Sequence, residues 1–139
     1  QRAGSNGEVV AFYRGGISSE VGNISVSTSS TAFNTSSDYR LKENVNYEFD
    51  ALTRVKQLKP ARFNFIVDAD TTVDGFIAHE VSDIVPEAIT GEKDGEEMQG
   101  IDQSKLVPLL TKAIQEQQEL IEDLQTRIEE LETWLQRYQ

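Results

Sequence analysis

The chain has 139 residues, with 13 lysines and arginines against 24 aspartates and glutamates, a formal net charge of −11, no cysteine and one histidine. The acidic balance repels phosphates and argues against unaided binding of nucleic acid or an anionic membrane, while the missing cysteines and lone histidine exclude disulfides, thiolate metal sites and multi-histidine centres. One domain with a modest core fits this length, no apolar run reaches the roughly 18 residues of a membrane span, and no signal-peptide pattern opens the chain, so the expectation is a small soluble module cut from something longer.

Residues 1–36 are rich in Gly, Ser and Thr, and their apolar residues alternate in short runs such as Val9–Tyr13 and Val21–Val26. This predicts short strands separated by glycine turns. The segment has too few large apolar residues to close a core alone, so its strands are expected to pair with those of other chains.

Residues 37–102 read as a compact α+β unit. Asp50 is placed to cap a short helix running to about Lys59, with Leu52, Val55 and Leu58 on one face and Pro60 ending it. An alternating strand from Arg62 to Val67 follows, then a second from Gly75 to Ile77, and a short helix from about His79 to Ile84. Asp68, Asp70, Asp74 and the run Gly91–Gly95 are read as exposed turns.

From about residue 103 to Tyr138 the chain reads as one long helix. Ile114, Ile121, Ile128 and Leu135 fall at heptad position a, and Leu110, Gln117, Leu124 and Leu131 at d. Ile at a with Leu at d favours two strands, but Ala113, Leu120 and Trp134 at g widen the stripe in a way that suits three. Gln117 is a polar interruption that can fix register, and Arg127 and Glu132 can pair between chains.

The chemistry sits where the Ser/Thr-rich segment gives way to the α+β unit, in Ser37-Asp38-Tyr39-Arg40-Leu41-Lys42-Glu43-Asn44. A serine hydroxyl needs a base to become a nucleophile, and a lysine in its neutral form can serve. A Ser–Lys pair five residues apart is a weak signal by spacing alone, since a capping serine and a solvated lysine are the commoner roles.

The full string Ser-Asp-x-Arg-x-Lys-x-Asn resembles the signature of the intramolecular chaperone autopeptidases of phage endosialidases, tail fibres and neck appendages, peptidase family S74. Blocks at Leu58–Phe65, Gly75–Val81 and Ile101–Leu110 resemble the same family, in family order, so the likeness covers about residues 37–115. It implies an α+β fold in an intertwined homotrimer, with an interchain β-stem over 1–36, a chaperone domain over 37–139 and a coiled-coil helix over 103–138. It implies a C-terminal chaperone that drives trimerisation and folding of the upstream fibre or tailspike and is released by cleavage between Ser36 and Ser37. Ser37 would be the nucleophile and Lys42 the general base, with Asp38, Arg40, Asn44, Glu80 and His79 as possible supporting residues. Arg40 would orient the loop or repel a proton from Lys42, and Glu80 would contact a basic group such as Arg40. The family more usually has glutamine at the position of His79. No cofactor, metal, nucleic acid or membrane is implied. Assembly would take place in the host cytoplasm, leaving the mature fibre in the virion tail. The alternative is a structural trimerisation module of a viral fibre that does not cleave.

Overall fold

A computed structural model describes residues 7–16 and 19–138, and the chain divides between Tyr47 and Glu48 into two compact units. In the first, β1 (Gly7–Tyr13), β2 (Glu20–Val26) and β3 (Thr31–Thr35) form an antiparallel meander. The two apolar runs expected to be strands are β1 and β2. The β2–β3 turn is built by Ser27, whose Oγ accepts the backbone N–H groups of Ser29 and Ser30 at 3.3 and 3.1 Å, the local hydrogen bonding that makes serine a turn residue.

This sheet has no core of its own. Among the described residues of the first unit, Gly22 alone is buried, and Phe33 at the centre of β3 is 78 % exposed. Chain topology has made the strands, but the described residues of this unit supply no packed layer over either face.

The second unit begins with α1 (Leu52–Val55), which is shorter than the expected helix to Lys59; tight turns carry the chain on to Leu58. Asp50 does accept the Thr53 N–H at 3.0 Å, yet the Ala51 and Leu52 N–H groups are met by the Glu116 carboxylate, at 3.1 and 2.7 Å, from 64 or more residues away. A tertiary cap thus completes what a local one begins.

β4 (Ala61–Phe65) and β5 (Asp68–Gly75) form an antiparallel hairpin. The turn lies at Ile66 and Val67, so Asp68, Asp70 and Asp74, expected in turns, are strand residues, and β5 ends where the second strand was expected to begin. Cross-strand pairing outweighs the poor strand preference of aspartate: Arg62 holds Asp74 with two hydrogen bonds of 2.7 and 3.0 Å.

α2 (Ala78–Ser82) is followed by a 3₁₀ turn at Pro86–Ala88 and by β6 (Ile89–Thr90), which pairs with β7 (Gly100–Ile101) across the glycine-bounded turn. A 3₁₀ turn at Gln103–Lys105, capped by Asp102, leads into α3 (Leu106–Arg137), about 48 Å long at 1.5 Å per residue. None of the described helices is long and apolar enough to cross a membrane.

Ala51, Val81, Val85, Ala88, Leu106, Leu109 and Ala113 are the buried core, with Leu52, Val55, Leu58 and Phe76 packed against it. The face predicted for Leu52, Val55 and Leu58 is therefore the one the core uses. Ala113 corrects the heptad reading: it is 4 % exposed inside its own domain and does not widen the seam. Beyond it the helix leaves the core, and Ile114, Ile121, Leu124, Ile128, Leu131 and Leu135 are all exposed.

Candidate functional site

Ser36 follows the last residue of β3 and continues its pairing. Its N–H donates to the Val21 carbonyl at 3.1 Å and its Oγ to the Glu20 carbonyl at 3.3 Å, both on β2. The chain then leaves the sheet, and Asp38 starts a 3₁₀ turn over Tyr39–Leu41.

Two interactions close that turn. The Asp38 carboxylate accepts the Arg40 N–H at 2.9 Å, and it also takes a two-pronged contact from the Arg40 guanidinium, Nε and Nη2 each at 2.9 Å. The Lys42 N–H then donates to the Tyr39 carbonyl at 3.1 Å. One 3₁₀ turn reverses the chain enough to bring Lys42 Nζ back to Ser37 Oγ, with Nζ donating at 2.7 Å. The serine and lysine expected to act as nucleophile and base, five residues apart, are thus in direct hydrogen-bond contact, inside the range that proton transfer requires.

The Arg40 guanidinium on Asp38 holds that carboxyl below its ordinary value, and the Arg40 N–H and the nearby charge of Lys42 act in the same direction. Reciprocally, Asp38 raises Arg40. Of the two roles expected for Arg40, its contacts support ordering of the loop. Its charge is compensated by Asp38, which weakens the repulsion expected to act on Lys42. The ion pair lies in solvent, so its value is geometric more than energetic.

Asn44 has φ +53°, a left-handed conformation that asparagine tolerates better than most residues. It therefore redirects the backbone just after Lys42. Ser37, Lys42 and the apolar Tyr39 and Leu41 around them are all exposed.

His79 and Glu80 lie on α2 in the second unit. The His79 carbonyl accepts Ser82 Oγ at 2.8 Å, and Glu80 pairs with Lys59 at 3.4 Å. The basic partner of Glu80 is thus Lys59, not Arg40, whose acidic partner is Asp38. One contribution escaped the sequence reading. The Glu20 and Val21 carbonyls that hold Ser36 are backbone groups and leave no residue-type signal.

Comparison with curated proteins gives no match. A family comparison does: residues 37–90, which open on the Ser37–Lys42 turn and run through the hairpin and α2 to β6, match the sequence model of peptidase family S74, the chaperone of endosialidase.

Proposed function

We propose that this chain is the C-terminal intramolecular chaperone of a phage tail fibre or tailspike, that it assembles as a homotrimer, and that it releases itself by cutting the Ser36–Ser37 bond. The observation that carries the chemistry is the 2.7 Å contact between Lys42 Nζ and Ser37 Oγ, made beside a residue whose N–H is anchored on β2.

With Lys42 in its neutral amine form the hydrogen bond reverses, and Ser37 Oγ–H donates to Nζ. Oγ attacks the Ser36 carbonyl carbon while its proton passes to Nζ. Collapse of the tetrahedral intermediate breaks the Ser36 C–N bond, and Lys42 gives the proton to the departing amine, which becomes the α-amino group of Ser37. The result is an ester between the Ser36 acyl group and Ser37 Oγ. Water then attacks that ester as Lys42 takes one of its protons; collapse breaks the Ser36 C–Oγ bond, Lys42 returns that proton to Ser37 Oγ, and the new Ser36 acid ionises to a carboxylate. Each chain cuts itself once.

Assembly is supported by what each unit leaves open. The first has strands without a core, and the second extends a helix whose a and d residues face solvent along most of its length. Burying each such side chain contributes about 1.5–3 kcal/mol, enough over several layers to drive association. Leu120 and Trp134 at g remain exposed and give the stripe the breadth of a three-helix seam. Coupling cleavage to assembly would let the chaperone leave only after the stem strands interlock, when a high unfolding barrier keeps them together.

Intact mass of freshly expressed protein tests the chemistry. Wild type should yield a product beginning at Ser37; Ser37→Ala and Lys42→Arg should stay uncut as assembled trimers by sedimentation, since a guanidinium does not surrender its charge to act as a base. Normal cleavage in Ser37→Ala would sink the mechanism, and a stable monomer or dimer at micromolar concentration would sink the trimer.

A further inference from the structure

The scissile bond has an anchor on each side. Ser37 is held by the turn that returns Lys42. Ser36 is held from the other direction by β2, through its N–H on the Val21 carbonyl at 3.1 Å and its Oγ on the Glu20 carbonyl at 3.3 Å. What decides where Ser36 stands is therefore how closely β3 lies on β2 at residues 20–22.

Gly22 sets that approach. It pairs with Thr35 in the β2–β3 register, and a Cβ built on it would lie 2.5 Å from the Asn34 carbonyl oxygen and 3.6 Å from Thr35 Cα. The obstructing atom is backbone, so no rotamer change relieves it and β3 itself would have to move. A glycine inside a strand is often the sign of such a close approach. The displaced segment, Asn34–Thr35, immediately precedes Ser36.

We infer that the Glu20–Gly22 segment of β2, with Gly22 as its positioning residue, places the Ser36 carbonyl for attack, so that the acyl shift becomes fast only once the β2–β3 hairpin upstream of the cut has paired. This inference rests on the proposed cleavage and adds to it a sensor: part of the stem is a working part of the site. An acyl carbon displaced by about 1 Å from its attack position costs about 100-fold in rate. Loss of one peripheral hydrogen bond costs about 3-fold.

The test is the single-turnover cleavage rate of the full chain, followed by mass. Gly22→Ala should cleave about 10- to 100-fold more slowly than wild type, with the same sedimentation and with the midpoint of its pH–rate profile unmoved, because the dyad is untouched and only its alignment is lost. Ser36→Ala should be about 3-fold slow, and Ser36→Thr, which keeps a hydroxyl for the Glu20 carbonyl, should recover most of that loss. Gly22→Ala cleaving within about 2-fold of wild type as an intact assembly would overturn the positioning role and leave the Ser37–Lys42 mechanism standing. If Gly22→Ala fails to assemble, the Ser36 pair decides: a slow Ala with a fast Thr supports the role, and equal rates overturn it. A wild type that stays uncut overturns both inferences together, whereas a cut wild type with unaffected variants overturns only this one.

Discussion

The two units of this chain solve the problem of holding a shape in opposite ways. Residues 48–138 close seven side chains into a core from the residue that precedes α1, α2 and the stretch after it through the 3₁₀ turn at Pro86–Ala88, and the first turns of α3, and tie it with a long-range cap from Glu116. Residues 7–47 make three paired strands and a hydrogen-bonded dyad, yet bury only Gly22 among their described residues. Where apolar side chains can cover one another, the single chain suffices. Where they cannot, backbone pairing draws the outline without burial, and it is this less self-sufficient unit that holds the Ser37–Lys42 contact.

Four experiments sharpen or break that contrast. The largest effect is expected from Ile121→Asp with Leu124→Asp, which puts charge into adjacent layers of the exposed seam and should abolish assembly; a trimer by sedimentation would mean that the seam is not the interface. Next, Leu109→Ala should cost about 2–5 kcal/mol in denaturant unfolding of the 48–138 unit. Phe33→Ala, in a chain kept monomeric by the aspartates, should cost almost nothing, and a comparable loss there would show that the strands own a core after all.

Glu116→Ala should cost about 1–2 kcal/mol by orphaning the Ala51 and Leu52 N–H groups, and Glu116→Gln less, because one carbonyl oxygen remains to accept. The smallest effect concerns the dyad turn. Asp38 has a folded pKa below its unfolded value, so the order it lends is fully present above the ordinary carboxylate range and disappears as pH falls through the depressed value. In uncut Ser37→Ala protein the Arg40 amide resonance should hold its position from pH 7 to about pH 4 and move only below it. Asp38→Asn should remove that transition and slow cleavage of the otherwise native chain a few-fold.

How far these features could be read beforehand depended on whether their cause is local. The long helix followed from a repeat running from Leu110 to Leu135, and the Ser37–Lys42 pair from a motif whose single turn sufficed to join them. Asp68, Asp70 and Asp74 went the other way because a strand is stabilised by its partner, and nothing near Asp74 in sequence announces Arg62. Heptad arithmetic places Ala113 beside the seam, where it would widen the stripe; only the folded domain shows that the first turns of α3 serve a different neighbour. The shortness of α1 has the same origin, as its cap comes from Glu116.

That cap has a mechanical consequence. Leu106, Leu109, Ala113 and Glu116 occupy heptad positions g and c, next to the a and d ridge rather than on it, so the globular unit grips the helix like a key in a shaft and fixes its rotational phase. Copies that join along the ridge must then set their globular units at one common angle around the axis. Inserting a single residue between Glu116 and Ile121 would turn the ridge by about 100° against the key, and the bundle could re-form only by untwisting the helices or swinging every globular unit round with them.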